Sequence, residues 1–373
     1  MGQLCKPILD TDAASLQFEL NQTTLQEQGY YWRLMFPLKQ VPRFTVKTIE
    51  GDEDLPVAAR RVAFNTKNPL FTRKEIGKNE LKLGKYAASR DMDEIQVQEY
   101  RDLLAIAAAS TDPSVATELV NMTYDDVRFC KASMPAKIEL DALGIASLGK
   151  QVFPVSTEGD MATEDEIDFN VPEENFGGVE VVWSDEKNAD GLQDLINMQT
   201  KIGNAGYGKP KYVWMEDKAF KQLIAQEKTA KRLFPASKIL DVFSTGMITL
   251  DVINGWMDKN GYPHILVIDS WVGFEEKNGK RKNMKPWNEN VLCLSETPQL
   301  GWTYWKRKHV EQVEEMISLE QEGEFYNVTI EGERNPDKVT TSAEAYAQVG
   351  LTKRRTKGFI NVANTTWNGG KSA

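Results

Sequence analysis

Apolar and polar residues alternate along Arg43-Phe44-Thr45-Val46-Lys47-Thr48-Ile49, the period of two that marks a half-buried strand. Gly51-Asp52-Glu53-Asp54 breaks the pattern, and residues 81–86 predict a returning strand. The stretch between them, 65–78, holds few core residues; it has to pack on something outside its own domain or stay mobile. The period then lengthens. Asp91 stands three residues before Glu94, a capping-box start, and Ile95, Tyr100, Leu103, Leu104 and Ala107 continue a helix. Thr111-Asp112-Pro113 ends that helix and opens another, with Asp112 as N-cap and Pro113 in the first turn. Val115, Leu119, Met122 and the apolar run of 138–148 carry it onward, with a kink expected at Pro135. Unbroken from 113 to 148, it would be about 54 Å long at 1.5 Å per residue. That length suits a spine better than a compact domain.

Residues 151–170 read as an exposed β-ribbon, with Val152, Phe153 and Val155 on one arm and Ile167, Phe169 and Val171 on or just past the other. From 176 to 300 the chain alternates strand and helix. Strands are expected over 179–183, 211–215, 264–272 and 291–294, and helices over 190–203 and 217–234. A short helix over 310–320 and late strands over 325–330 and 359–362 follow. At the other end, 11–28 has weak helical periodicity before the aromatic cluster Tyr30-Tyr31-Trp32, so 1–40 reads as an arm.

With 373 residues and 41% apolar content, the chain can bury a core and is long enough for two or three structural units. No apolar run approaches the roughly 18 to 20 residues of a membrane helix. The first residues lack a secretory signal, and Lys6 stands where a myristoylation motif needs Ser or Thr. Cys5, Cys130 and Cys293 are odd in number and far apart, which points to a reducing compartment rather than a disulfide framework or a zinc knuckle.

The net charge of −10 conceals strong segregation. Residues 43–90 carry eleven basic and six acidic side chains, residues 156–195 thirteen acidic and one basic, and residues 345–373 five basic and no acidic. These are either three solvated faces or complementary patches that meet between copies. On the second reading, Arg60, Arg61, Arg73 and Lys74 of one copy contact Glu164, Asp165, Glu166 and Asp168 of another. A chain this acidic overall is a poor candidate for sequence-specific DNA binding, which needs clustered positive charge.

Catalytic and ligand motifs are weak. Gly203-Asn204-Ala205-Gly206-Tyr207-Gly208-Lys209 has the spacing of a phosphate-binding loop, but Pro210 replaces the Ser/Thr that would hold magnesium. A helix also precedes it where one should follow, so it reads as a helix-to-strand turn. Residues 186–197 imitate a calcium loop poorly, with Asn197 in place of the bidentate Glu; Asn188 or Asp190 there reads as a helix cap. His264 and His309, the only histidines, stand near no nucleophile motif. No catalytic, cofactor-binding or metal-ligating residue is assigned, and no cofactor is expected.

Several stretches taken in order carry a resemblance. Arg60-Arg61-Val62-Ala63 and Lys82-Leu83-Gly84-Lys85-Tyr86 fall in the long basic β-loop. Lys137-Ile138-Glu139, Leu143 and Ser147-Leu148-Gly149-Lys150 end the spine. Ile265-Leu266-Val267-Ile268-Asp269, Asn278-Gly279-Lys280, Pro286 and Leu292 to Leu300-Gly301 form a late strand, turn and strand. Over about residues 30–362 the chain resembles tailed-phage major capsid proteins of the HK-ninety-seven type, nearest the lambda-like capsid protein E group. It departs from them in Lys137, where Arg is usual, and in Pro135 within the spine.

The resemblance implies an α+β capsid fold. Its expected parts are an N-terminal arm (1–40), an extended loop (41–90), a peripheral domain of spine helix and β-ribbon (91–175), an α/β axial domain (176–300), and a return to the peripheral domain with a basic tail (301–373). It implies a structural, non-enzymatic protein of the virion, assembled in the host cytoplasm into hexamers and pentamers of an icosahedral head around double-stranded DNA. Its implied partners are itself, a separate scaffolding protein, a portal and decoration proteins, packaged DNA without sequence specificity, and no membrane. The alternatives are a cargo-enclosing nanocompartment shell of the same fold and, from another class, a nucleotide-binding α/β enzyme using residues 203–209.

Overall fold

The computed structural model describes residues 29–49, 78–109, 113–152, 166–234, 248–275, 280–309, 316–320, 325–334 and 337–369. The predicted periodicity of 11–28 and the candidate cap Asp112 lie outside them. Tyr30-Tyr31-Trp32 leads into a one-turn helix α1 (Trp32–Met35) and strand β1 (Leu38–Gln40). Strands β2 (Thr45–Ile49) and β3 (Lys78–Lys82) pair antiparallel, Thr45 opposite Lys82 and Ile49 opposite Lys78; β2 lies where the alternation predicts, while of the returning strand expected over 81–86 only Leu81 and Lys82 belong to β3.

The chain then continues as β4 (Gly84–Met92), and this shifts the next helix start. Asp91, expected as its cap, is held in the ladder opposite Thr340, whose hydroxyl donates to it at 2.8 Å while Lys338 pairs with it at 2.8 Å. The capping box forms two residues later. Asp93 Oδ1 accepts from the Gln96 amide at 2.9 Å, and Gln96 Oε1 accepts from the Asp93 amide at 3.1 Å, opening α2 (Glu94–Ala109). Helix α3 (Pro113–Leu148) is the predicted spine: 36 residues, Pro113 first and Pro135 inside it. Val127, Cys130, Met134, Ile138, Ala142 and Ile145 are buried at intervals of three or four, one apolar stripe over that part of the helix.

The ribbon is rooted by β5 (Lys150–Val152) and β6 (Glu166–Asp168), antiparallel with Lys150 opposite Asp168. Two residues form β7 (Phe176–Gly177). The strand expected over 179–183 is absent. Those residues run irregularly instead, the amides of Val179 and Trp183 donating to the carbonyls of Asn364 and Val362 at 3.0 Å each. Helix α4 (Gly191–Asn204), capped by Asp190, and β8 (Tyr212–Glu216) fall where the pattern puts them. The single helix expected over 217–234 splits into α5 (Asp217–Ala225) and α6 (Glu227–Leu233). Gln226 breaks it with extended backbone, its side chain turned inward to accept from the Gly191 amide at 2.7 Å.

Thr249 caps α7 (Leu250–Lys259), a helix the pattern did not announce. The strand expected over 264–272 ends early as β9 (His264–Ile268); after a turn, β10 (Val272–Glu275) pairs as a hairpin with β11 (Arg281–Met284). Strands β12 (Val291–Ser295) and β13 (Gly301–Lys306) follow. Of the helix expected over 310–320, the described part is strand β14 (Met316–Glu320), paired with β15 (Tyr326–Arg334). The long β16 (Asp337–Leu351) and β17 (Gly358–Asn361) complete the chain.

Two sheets organise the described residues. In the first, β16 is central: β4 covers one edge, and β15 then β13 cover the other, with β14 and β1 outermost. The second has the order β7-β17-β12-β8-β9, with β8 parallel to β9 and β17 parallel to β7. Its strands are buried on both faces. Trp214, Val291, Cys293 and Phe359 join the core around α3 and the first sheet, while Val213, Leu292, Leu294 and Ile360 join the core formed with α4, α5 and α7. One sheet thereby couples the α/β unit to the spine. The fold is α+β, as expected, and the last strand, β17, returns to the second sheet rather than the first.

Candidate functional site

Glu139 has no exposed surface and lies beside the apolar stripe of α3, on the face it shares with buried Leu143 and Ala146. Its carboxylate accepts from the amides of Tyr31 (3.1 Å) and Trp32 (2.9 Å), at the head of α1, and from the hydroxyl of Ser270 at 2.7 Å. Burial pushes its pKa above the ordinary carboxylate value, and the bonds from Ser270, Tyr31 and Trp32 oppose that. One side chain of the spine thus ties the arm-proximal helix to the turn between β9 and β10. The amide of Asp269 donates to the Tyr31 hydroxyl at 3.4 Å at the same junction. The sequence reading quoted Glu139 only as part of a resemblance; an acid among the apolar residues Ile138, Ala142, Leu143 and Ala146 is the signal that would have singled it out.

The same turn presents Trp271, 57% exposed between buried Ser270 and Val272. Lys285 Nζ lies 5.0 Å over its ring, bonds the buried carboxylate of Glu216 and stands 3.4 Å from Asp269. A groove of about 190 Å³ runs along the C-terminal half of α3, walled by Leu140, Gly144, Ile145 and Leu148 and, from the hairpin side, by Met284 and Pro286. Sequence reasoning assigned nothing to these residues.

Of the proposed inter-copy contacts, Arg60, Arg61, Arg73, Lys74, Glu164 and Asp165 lie outside the described residues. Glu166 and Asp168 are on β6. Glu166 pairs with Lys150 across the ribbon root at 2.9 Å, and Asp168 Oδ1 accepts from the Asn170 amide at 2.7 Å. The roots of the basic loop and the acidic ribbon meet in one chain: Glu80 and Leu81 of β3 and residues 167–170 border a single cleft of about 140 Å³, closed by Tyr304, Gly350 and Arg354.

The ligand-like motifs resolve into packing. Gly206 and Gly208 have φ of +83° and +92°, the left-handed backbone of a turn after α4, and Lys209 donates to the Gly261 carbonyl at 2.9 Å. Asp190 caps α4 by accepting from the Gln193 amide at 3.2 Å. His264 is bonded through Nδ1 to Asp258 (3.1 Å) and through Nε2 to Asn254 (3.2 Å), whose carboxamide also bonds both backbone groups of Ile265 on the β9 edge. His309 is exposed. Among the described residues, no group of three or more His, Cys, Asp or Glu side chains is placed to hold a metal ion, and no helix is long and apolar enough to cross a membrane.

Residues 12–352 match the family described as phage major capsid protein E. No curated protein matches the chain. Two solved structures share its fold at low identity. A phage-related protein from Bordetella bronchiseptica RB50 has a TM-score of 0.52 and 12% identity, over 96% of this chain and 97% of its own. A chain described as the capsid protein of a prophage of E. coli CFT073 has a TM-score of 0.52 and 14% identity, over 94% and 99%.

Proposed function

The chain belongs to the phage major capsid protein E family and is a structural component of the phage capsid; we propose that its copies form rings of six and five that tile an icosahedral head around double-stranded DNA. The family match over residues 12–352 carries this reading. The architecture supports it. It has a helix of 36 residues, residues from β3 and from the end of the ribbon border one cleft, and among the described residues the conspicuous features are surfaces rather than an enclosed, convergent polar site. Rings arise when one patch of a copy meets a different patch of the next and the rotation closes.

The part is structural rather than catalytic. Assembly takes place in the host cytoplasm with a separate scaffolding protein, and a portal and decoration proteins complete the head. Electron microscopy of the purified full-length chain, alone and after production in infected cells, tests the reading. Rings and closed shells are expected, with nuclease-protected DNA in the native particles. A chain that stays monomeric at every concentration and salt condition overturns shell building, and native shells holding protein cargo instead of DNA overturn the phage-head assignment.

A further inference from the structure

We propose that the groove over Gly144 receives Trp271 of a second copy, a contact that rests on the shell-building reading and specifies how neighbours engage. Gly144 lies inside α3, where glycine weakens a helix relative to alanine. Among the described residues nothing packs on it: a Cβ built at Gly144 meets none of their atoms within 4 Å. A glycine near the C-terminal end of α3 with open space above it fits the close approach of something from outside the chain. The groove above it is mostly apolar, with Asp141, Lys150 and Gln151 also on its wall, and at about 190 Å³ it is sized for a side chain rather than a cofactor.

Trp271 fits as that side chain. It is the one tryptophan among the exposed large apolar side chains of the described residues. Its neighbours hold it rigidly, since Ser270 is bonded to buried Glu139 and Val272 is buried and paired with Met284. A large side chain fixed on an anchored turn gives up little freedom on docking and makes a binding hot spot.

Knob and groove also lie on opposite sides of one segment. Met284 and Pro286 face the groove, while Lys285 between them reaches the Trp271 ring. A copy cannot fill its own groove from that position, but it can present Trp271 to a neighbour while accepting a third copy's. Such a head-to-tail contact generates rings.

The test compares the threshold concentration for assembly, by light scattering and electron microscopy, of the full-length chain and its variants Trp271→Ala, Gly144→Leu, Gly144→Ala and the double Trp271→Ala/Gly144→Leu. Circular dichroism and melting confirm folding. Gly144→Leu puts side-chain atoms into the groove from a position where the added Cβ meets no atom of the described residues, so it should fold and raise the threshold about tenfold or more. Trp271→Ala does the same, Gly144→Ala has little effect, and the double variant is no worse than either single one because both remove one contact. Assembly of Gly144→Leu at the parental threshold overturns the contact and leaves the shell reading intact, as does full additivity of the two changes. A parent chain that never assembles overturns both.

Discussion

Removing the carboxylate of Glu139 would leave the amides of Tyr31 and Trp32 and the Ser270 hydroxyl without their acceptor in a dry interior. An orphaned buried donor costs about 1 to 3 kcal/mol, so Glu139→Ala should destabilise the chain by roughly 3 kcal/mol. Glu139→Gln, which keeps one acceptor oxygen, should lose less. Chemical unfolding of unassembled chain measures both, and equal losses would show that the acceptor oxygen is not what matters. Asp194 allows a pH test with a definite window. Burial pushes its pKa up to about 6, against a bond from Trp183 Nε1 at 2.8 Å. A carboxyl with a raised folded-state pKa binds more protons folded than unfolded, so stability falls as pH rises between about 4 and 6 and is flat above. Asp194→Asn keeps an acceptor for Trp183 and should flatten that part of the stability profile. At pH 7 it should be more stable than the parent by roughly 1 to 2 kcal/mol, discounted for partial exposure. Thermal melts from pH 4 to 7.5 check this, and an unchanged slope sinks it.

At the scale of elements, what the chain shows by itself is what local periodicity can hold. The spine from Pro113 to Leu148 and strand β2 were legible because each carries its own pattern. The misses are elements whose place is set by the strands they join rather than by their own spacing. Residues 339–347 of β16 present Ala343, Ala345 and Ala347 inward, poor strand formers that hold their place because β4 covers one edge while β15 and β13 share the other. Met316–Glu320 reads as helix by spacing but takes the free edge of β15. The cap at Asp91 failed because β4 claims that residue for the ladder, and Asp93 took over. Asp93→Ala should therefore cost about 1 kcal/mol and Glu94→Ala much less. Urea unfolding midpoints discriminate, since a cap at the originally expected box would reverse the order. Of the candidate site, only charge segregation was legible. The Glu139 tie, the groove and the Trp271 turn each join residues more than a hundred positions apart, and no local pattern records that.

For the whole molecule, the question is whether the basic loop and the acidic ribbon meet within one copy or between copies. Their roots share one cleft, lined by Glu80 on the loop side and Asp168 on the ribbon side. Glu166 is already engaged by Lys150, which leaves Glu164 and Asp165 as the better candidates of the original set. Single exposed pairs are worth only about 0.2 to 1 kcal/mol and are screened beyond roughly 8 Å at physiological salt. A contact repeated around every ring multiplies that small term, so assembly responds where folding does not. Arg60→Glu/Arg61→Glu should leave melting unchanged and raise the assembly threshold, most at low salt. Glu164→Lys/Asp165→Lys should do the same alone. The decisive arm is mixing. If loop and ribbon meet between copies, equal parts of the two reversed chains restore contacts wherever unlike chains adjoin and co-assemble below either threshold. If they meet within one copy, mixing restores nothing, and only the quadruple variant in a single chain recovers. Parental thresholds for both reversed chains at low salt would show that these charges face solvent and take no part in assembly.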